Sequence, residues 1–368
     1  MNGRIAMPGV PNNLTALNNK ADVALLNTFD EIIDVRSPAE YAEDHAPGAV
    51  SAPVLDDDER ARIGTLHKQA SAFDAKKAGA VLVARNIARH LEEKFSSRPK
   101  SWRPLIYCWR GGQRSGAMTE IFNRIGWRAM QLDGGYKAYR RHVIDQLDLL
   151  PARFSFRIVC GVTGSGKSRL LRALDAEGAQ VLDLEDLAKH RGSVLGILPD
   201  APQPAQKMFE SLVLQRLRAI DPAQPVFVEA ESKKVGEVRV PEALMTAMRA
   251  SPCIRVEMTI PLRVALLKDE YAHFISDPAL LGAQLDCLVR LHGRERIEQW
   301  KALTGRGAWD EFVERLLAEH YDPAYLRGMG RNYTGFGMAP ALEIADIGTG
   351  GMRDAARQAT ALSNPAHG

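Results

Sequence analysis

The chain of 368 residues lacks any long apolar run. No stretch approaches the roughly 20 consecutive apolar residues that a membrane-spanning helix needs. No early apolar run resembles a signal peptide either. These absences predict a protein without a membrane partner that works in the cytoplasm.

Cysteine is also scarce. The four cysteines are far apart, and no two of them form a Cys-x-x-Cys pair. This spacing argues against a disulfide framework and against a zinc site, so we expect no resident metal and no tightly bound cofactor. Cys160, Cys253 and Cys287 lie in apolar or helical contexts and are interpreted as core residues. Cys108 remains as the candidate for chemistry.

A strong charge of one sign is absent as well, because the formal net charge is only +3. Its distribution is uneven: Arg98–Arg141 holds 10 basic and 2 acidic residues. Five aromatic residues are interleaved with these charges, namely Trp102, Trp109, Trp127, Tyr136 and Tyr139. The stretch suits either a polyanionic partner with stackable bases or a solvated basic face over core aromatics, and the sequence leaves both open.

Cys108 begins a Gly-rich loop that carries two arginines. Leu105–Tyr107 has the pattern of a short buried strand, Gly111-Gly112 that of a turn, and 114–124 that of an amphipathic helix. Cys108 then faces a helix N-terminus, where backbone N–H groups, Arg110 and Arg114 favour an anion. The same field lowers a thiol pKa. We therefore predict a catalytic Cys108 assisted by Arg110 and Arg114.

The Cys-x5-Arg spacing admits two chemistries, a sulfur-carrying enzyme or a phosphatase with a cysteine nucleophile. Upstream, 32–37, Glu40-Tyr41 and 45–49 resemble the strand, helix and H-x-P-G-A turn of the rhodanese family. The resemblance covers roughly residues 15 to 140. This loop is one residue longer than the common rhodanese loop, so we expect it to hold a phosphate-sized or selenophosphate-sized anion.

A second anion site is predicted after the strand Phe156–Cys160. The following residues form a complete G-x-x-x-x-G-K-S loop between that strand and a helix over 169–175. In such a loop backbone N–H groups surround a di- or triphosphate, the lysine contacts terminal phosphates, and the serine can hold Mg²⁺. The predicted phosphate-binding residues are Gly161, Gly164, Ser165, Gly166, Lys167 and Ser168.

Three acids are candidates to work beside this loop. Asp183, Glu229 and Glu231 each follow a predicted strand. Helix capping or salt bridging is an equal alternative for them, and Asp183 could cap the next helix together with Glu185 and Asp186. The loop 190–193 could approach phosphate or RNA, or lie on the surface. A later helix with Arg263, Lys268 and Tyr271 is interpreted as a solvated face.

Strands alternate with helices in both halves, which predicts two α/β domains with mostly parallel sheets. The first is a rhodanese-like α/β domain, and the second is a P-loop NTPase-like parallel-sheet domain with a helical C-terminal part. The predicted boundaries are a flexible leader at 1–14, the rhodanese-like domain at 15–140, a linker at 141–152, the P-loop domain at 153–345 and a disordered tail at 346–368.

The pairing of the two loops is specific. A rhodanese-like domain with Cys-Trp-Arg-Gly-Gly-Gln-Arg-Ser, fused to a domain with Gly-Val-Thr-Gly-Ser-Gly-Lys-Ser, resembles the bacterial tRNA 2-selenouridine synthase family. The segments 64–69, 190–193 and 228–232 resemble that family too. The resemblance runs over roughly residues 15 to 345.

The resemblance implies a reaction. The family replaces the sulfur of wobble 2-thiouridine in tRNA by selenium from selenophosphate, and it transfers a geranyl group from geranyl diphosphate to that sulfur. It implies that Cys108 carries selenium as a selenenylsulfide. The implied partners are tRNA carrying wobble 2-thiouridine and an enzyme that supplies selenophosphate. Selenophosphate and geranyl diphosphate are expected as substrates, and Mg²⁺ is an ion that the P-loop could take.

Three other functions fit parts of the sequence. One is a P-loop ATPase or kinase with an accessory sulfurtransferase domain, another is a Cys-x5-Arg phosphatase, and the third is a non-catalytic RNA-binding protein. The ligand of the P-loop stays open among geranyl diphosphate, a nucleotide and an RNA phosphate.

Overall fold

The computed structural model describes residues 19–69, 71–198 and 201–363. The chain divides between His142 and Val143 into two compact units. Within the described residues, no helix is both long and apolar enough to cross a membrane. The predicted leader at 1–14 lies outside the described residues.

The first unit contains a sheet of five parallel strands in the order β1-β5-β4-β2-β3. The strands are β1 (Lys20–Ala21), β2 (Glu31–Asp34), β3 (Val50–Ser51), β4 (Pro104–Tyr107) and β5 (Met130–Leu132). Every residue of β4 is buried, as expected for a central parallel strand that is covered on both faces. Register pairs Ile33 with Ile106 and Asp34 with Tyr107, so the strand ends that precede the candidate loop lie side by side.

Five helices accompany this sheet: α1 (Pro38–Glu43), α2 (Asp57–Gln69), α3 (Ala72–His90), α4 (Gln113–Ile125) and α5 (Gly135–Leu149). A 3-10 turn at Val23–Thr28 and a π-helical extension of α3 at Leu91–Phe95 complete the unit. Met118 and Phe122 of α4 pack with Ile106 and Trp102 in the core. The core thus fixes α4, whose first turn follows the Cys108 loop.

The aromatic residues near Cys108 are mostly core residues. Trp102, Trp127, Tyr136 and Tyr139 are each at most 8% exposed, whereas Trp109 is 37% exposed. Trp102 and Trp127 pack against Phe122. Of the two alternatives that the sequence left open, core aromatics is the one found for these four residues, because their apolar area stabilises the core.

The second unit is built on another sheet of five parallel strands, in the order β12-β11-β6-β8-β7. Its strands are β6 (Ser155–Cys160), β7 (Gln180–Leu182), β8 (Pro225–Glu229), β11 (Cys253–Glu257) and β12 (Ala341–Glu343). A small antiparallel hairpin lies apart from it, formed by β9 (Lys234–Val235) and β10 (Val238–Arg239). The two parallel sheets confirm the predicted fold class.

Helices of the second unit form two groups. Those in and around the sheet are α6 (Lys167–Ala176), α7 (Leu184–Ala188), α8 (Gln206–Ala219), α9 (Glu242–Arg249) and α10 (Ile260–Glu270). The helical C-terminal part comprises α11 (Ala272–Ser276), α12 (Pro278–Asp286), α13 (Val289–His292), α14 (Arg294–Gly305), α15 (Trp309–Leu316), π-helical Leu317–Tyr321 and α16 (Asp322–Asn332). This part has its own apolar core around Trp300 and Leu285. Short 3-10 turns lie at Leu150–Arg153 and Phe336–Met338.

The prediction of a disordered tail at 346–368 is wrong for the helical part of that range, and residues 364–368 lie outside the described residues. Residues Thr349–Ser363 form a further helix, α17, which packs on α6. Its buried face consists of Met352, Ala355, Ala356 and Ala359, which join Leu170 and Leu174 in the core of the sheet. The i, i+3, i+4, i+7 spacing of these residues is that of an amphipathic helix. Gly348, Gly350 and Gly351 before and within its first turn concealed that pattern.

The prediction of a linker at 141–152 is also wrong, because helix α5 continues through this range to Leu149 and a 3-10 turn follows. Val143 and Leu147 are buried. A segment with buried apolar positions at helical spacing is continuous helix, and Pro151 lies inside the 3-10 turn that follows it.

Candidate active sites

Cys108 lies directly after β4 and is 4% exposed. The loop that follows it packs backbone to backbone against the start of α5. Gly111 has φ +61°, and an added Cβ there would lie 2.5 Å from the carbonyl oxygen of Leu132. At Gly135 an added Cβ would lie 2.3 Å from the carbonyl oxygen of Cys108. Only glycine fits both positions, so these two residues set the path of the loop.

The sulfur of Cys108 accepts two hydrogen bonds. Gly112 donates its backbone N–H at 3.3 Å, and the hydroxyl of Ser115 donates at 3.1 Å. Gln131 of β5 in turn donates to the Ser115 oxygen at 2.7 Å and to the Gly112 carbonyl at 2.8 Å. Strand β5 thereby orients the first turn of α4 toward the sulfur.

Burial by itself would raise the pKa of Cys108. The hydrogen bonds from Ser115 and Gly112 and the positive charge of Arg114 outweigh it, so the pKa of Cys108 is lowered. Donors that point at a sulfur stabilise the thiolate over the thiol. The thiolate is the nucleophilic form, so the loop prepares Cys108 for attack on an electrophile.

We expect Ser115→Ala to raise the pKa of Cys108, because it removes the strongest of the donors to the sulfur. The rate of thiol alkylation follows the thiolate, so the inflection of its pH profile should move to higher pH in the variant. Iodoacetamide labelling of Cys108, followed by peptide mass spectrometry across a pH series, measures this. An unchanged inflection would contradict the role given to Ser115.

The two predicted arginines differ in setting. Arg114 is half-buried and pairs with Glu40 at 3.1 Å, while Arg60 of α2 contacts the same carboxylate at 3.2 Å. Arg110 is exposed on the loop. Arg114 is therefore held beside the thiolate by Glu40, and Arg110 is the arginine with freedom to follow an incoming anion.

The P-loop of the second unit connects β6 to α6. Gly164 and Gly166 have φ of +76° and +86°, a region that favours glycine. At Gly161 an added Cβ would lie 2.4 Å from the Ser165 hydroxyl oxygen, and Ser165 is fully buried. The glycines thus allow the tight turn that directs backbone N–H groups inward.

Lys167 folds over this loop. Its Nζ donates to the carbonyl oxygens of Gly161 at 2.8 Å and Val162 at 3.3 Å. The Gly161 N–H donates to the hydroxyl of Tyr325 at 2.5 Å. These carbonyls are weak partners for a full positive charge, so a phosphate entering the loop would offer Lys167 a stronger one.

Three glutamates meet beside Ser168. Oxygen atoms of Glu185, Glu229 and Glu231 lie within 4.8 Å of one another, and the Ser168 hydroxyl donates to Glu185 at 3.2 Å. Glu229 is 3% exposed, and its Oε1 has no hydrogen-bond partner among the described residues. Burial raises the pKa of all three carboxyl groups, and repulsion from Glu229 adds to the increase for Glu185 and Glu231. Clustered oxygens of this kind fit a hard divalent cation such as Mg²⁺.

Asp183 takes the capping role, one of the two alternatives that the sequence left open for it. Its side chain accepts a hydrogen bond from the Asp186 N–H at 2.8 Å and caps α7. It therefore does not belong to the group of three glutamates. Glu185, in the first turn of α7, joins Glu229 and Glu231 instead. The capping alternative that the sequence left open for Asp183 is the one found.

The loop 190–193 and helix α10 both reach the P-loop cavity. Arg191, Gly192 and Ser193 line this cavity of about 850 Å³ together with Tyr271, so the loop has the position expected for a phosphate-approaching segment. The interpretation of α10 as a solvated face is wrong for Arg263. It is 3% exposed and donates to the Thr163 carbonyl at 2.7 Å while pairing with Asp322 at 2.6 Å.

Of the remaining cysteines, Cys160 and Cys253 are buried on neighbouring strands, as predicted. Cys287 is exposed and directly follows the last residue of α12. The prediction of a third core cysteine is therefore wrong.

Comparisons with known proteins match a family model to each of the two parts of the chain. A family model described as the tRNA 2-selenouridine synthase AAA domain matches residues 154–284, and a rhodanese-like domain model matches residues 11–142. The tRNA 2-selenouridine synthase of Bdellovibrio bacteriovorus is 30% identical over 365 residues, covering 86% of this chain and 94% of that protein.

The chain belongs to the tRNA 2-selenouridine synthase family. A synthase from Marinobacter nauticus is 32% identical, and the aligned region covers 80% of this chain and 87% of that protein. One from Nitrosomonas europaea is 34% identical and covers 67% of this chain and 65% of its own. The family assignment confirms the resemblance that the two loops indicated.

Within this family member, the structure gathers the predicted residues into two sites. One site contains Cys108 with Arg110 and Arg114 on its loop. The other contains the P-loop with Glu229 and Glu231. Sequence reasoning missed Ser115, Gln131, Tyr325 and Glu185 as site residues. For Ser115 a signal was present, since a hydroxyl one turn into a helix after a nucleophile is placed to reach it.

Proposed function

We propose that this enzyme converts wobble 2-thiouridine of tRNA to 2-selenouridine, with selenophosphate as donor and S-geranyl-2-thiouridine as intermediate. Family membership supports the overall conversion. The observation that carries the division into two steps is that one chain holds both a thiolate site and a separate phosphate-binding loop. Each step has its own site chemistry.

The first step takes place at the P-loop. The thiocarbonyl sulfur attacks the allylic carbon of geranyl diphosphate, a C–S bond forms, the C–O bond breaks, and diphosphate leaves with the electron pair. The nucleoside then loses the proton of its ring N–H. Lys167 and the loop N–H groups neutralise the charge that develops on the leaving diphosphate. Ser168 with Glu185, Glu229 and Glu231 would hold Mg²⁺, which supplies further charge neutralisation.

The second step takes place at Cys108. Alkylation has turned the thiocarbonyl sulfur into a thioether, which leaves as geranyl thiolate when selenium adds to the ring carbon. Cys108 is the nucleophile that attacks selenophosphate, and Arg110 and Arg114 bind the phosphate group of selenophosphate. The loop fits this task because its donors stabilise a thiolate and its helix N-terminus favours an anion.

The electron count distinguishes two routes at Cys108. Attack on selenium gives the selenenylsulfide that the family resemblance implies, and the P–Se bond breaks with its electron pair on phosphorus, which leaves as phosphite. Once this selenium has added to the ring carbon, a thiol reductant must cleave the S–Se bond to release 2-selenouridine and free Cys108. Attack on phosphorus gives phosphocysteine and free selenide, with no change of oxidation state. Intact-protein mass spectrometry of the trapped enzyme separates them, because only bound selenium shows a selenium isotope pattern and is removed by dithiothreitol.

A groove beside α4 offers the tRNA a binding surface. It is walled by α2, α3 and α4. His67 and Lys76 line it together with Arg60 and Arg114, and these two arginines share the Glu40 carboxylate. Phosphate contacts of this kind position a nucleic acid without reading its sequence, which suits an enzyme that acts on one nucleoside of a folded RNA.

We expect Glu229→Gln to weaken divalent-cation binding by at least about tenfold, the size of loss seen when even an outer-shell partner of a metal ligand is removed. The reason is that Glu229 contributes a buried carboxylate oxygen that has no other partner among the described residues. Electron paramagnetic resonance titration with Mn²⁺, without substrates, measures the affinity directly. Asp183→Asn is the matched control, since asparagine still caps α7. Equal loss in both variants would contradict the assignment of ligands.

A further inference from the structure

A cavity lined mainly by apolar side chains adjoins the P-loop cavity. Four residues line both, namely Thr163, Ser193, Leu267 and Tyr271. The remaining wall comes from the helical C-terminal part and includes Phe274, Leu281, Phe312 and Leu316. A phosphate site and a hydrocarbon-lined site therefore share a common border.

Leu267 marks that border. An added Cβ at Gly164 of the P-loop would lie 2.8 Å from Leu267 Cδ1, so one side of this leucine touches the phosphate-binding backbone. Its side chain also lines the apolar cavity. A ligand with its phosphate groups in the loop would pass Leu267 and Tyr271 on entering the apolar space.

Three polar side chains of the cavity wall are engaged with the protein. The hydroxyls of Tyr271 and Tyr321 interact with Ser193, and the ammonium of Lys268 pairs with Asp310 at 2.5 Å. A nucleobase entering this space would lose hydrogen bonds to water without replacement, which is costly. A hydrocarbon chain loses none and gains from leaving water.

We infer that this cavity binds the hydrocarbon chain of a prenyl diphosphate whose diphosphate group lies in the P-loop, and that Leu281 and Phe312 help to select the length of that chain. The inference rests on the proposed function for the identity of the chain as geranyl. It adds the residues that recognise the chain. It also places the allylic carbon at the border between the two cavities, beside Tyr271.

Isothermal titration calorimetry without tRNA tests chain recognition. The wild-type enzyme should bind geranyl diphosphate roughly 100-fold more tightly than inorganic diphosphate, because several CH₂ groups leave water. Leu281→Trp should reduce the affinity for geranyl diphosphate toward that for inorganic diphosphate and leave the latter unchanged, which also reports an intact fold. Leu280→Trp is the matched control, since Leu280 lies on the same helix but is 38% exposed. Equal wild-type affinities for the two ligands would overturn the inference.

Phe312→Ala tests length selection by a gain. Removing a large side chain from the wall should shift the preference toward farnesyl diphosphate by about tenfold relative to geranyl diphosphate, the effect of one or two additional buried CH₂ groups. An unchanged preference in a folded variant would show that Phe312 does not limit chain length.

Selenouridine formation is measured separately. If the wild type binds geranyl diphosphate tightly but makes no selenouridine, the proposed function fails and the chain site stands; ATP binding tighter than geranyl diphosphate would overturn the chain site.

Discussion

Cys108→Ser should reduce 2-selenouridine formation by at least about 10³-fold, because a serine hydroxyl is not ionised near neutral pH and cannot replace the thiolate nucleophile. The same variant should still convert 2-thiouridine to S-geranyl-2-thiouridine, since the P-loop of the second unit is unaltered. The geranylated nucleoside should therefore accumulate. Nucleoside mass spectrometry of tRNA incubated with geranyl diphosphate and selenophosphate measures both products in one digest.

Cys287→Ser is the matched control for that experiment. Cys287 is exposed and directly follows the last residue of α12, so the same change of sulfur to oxygen should leave both products at wild-type levels. Loss of geranylation together with selenation in Cys108→Ser would contradict separate sites for the two steps. Unchanged selenouridine in Cys108→Ser would remove Cys108 from the reaction altogether.

The P-loop, the Cys108 loop and the strands before them could be predicted because their signals are local. A buried strand of β-branched and apolar residues followed by glycines and a helix start is readable within about fifteen residues. The structure places β4 and β6 one residue or less from the predicted starts of their apolar runs. Residues that act through their own backbone, such as Gly164 and Gly166, are fixed by that local pattern.

Residues that act through distant partners could not be predicted in this way. Glu185 and Asp183 are two positions apart, and only the direction of α7 determines which of them caps the helix and which reaches Glu229. Arg263 pairs with Asp322, 59 residues away, and its burial follows from that contact. The helical conformation of α17 likewise depends on a distant partner. Its packing on α6 outweighs the low helix propensity of the glycines in its first turn.

The count of charged residues near Cys108 indicated a basic surface, but it did not show which of the aromatic residues in the same stretch are buried. Trp102 and Trp127 contribute to the core, where Trp127 packs edge to face with both Trp102 and Phe122. Two arginines within Arg98–Arg141 are already ion-paired, Arg98 with Glu31 at 2.7 Å and Arg114 with Glu40 at 3.1 Å. The count of basic residues therefore overstates the charge available to RNA.

Lys167→Ala should lower geranylation by about 10²-fold or more, because it removes the positive charge that would neutralise the leaving diphosphate. Selenouridine should fall with it when the substrate is 2-thiouridine tRNA. When the variant is given tRNA that already carries S-geranyl-2-thiouridine, selenation should return to the wild-type rate, because that step uses Cys108. Lys189→Ala is the matched control: Lys189 caps the end of α7 and pairs with the exposed Asp186.

Mixing the two variants sharpens this test. Neither Lys167→Ala nor Cys108→Ser should make selenouridine from 2-thiouridine tRNA alone, but together they should restore it if the geranylated tRNA dissociates from one enzyme and reaches the other. Restoration would show that the intermediate is released and that each site is sufficient for its step. A Lys167→Ala enzyme that geranylates at the wild-type rate would assign the P-loop to another ligand. Hydrolysis of ATP by the wild type, lost in Lys167→Ala, would then identify that ligand as a nucleotide, because the same lysine would neutralise a transferring phosphoryl group.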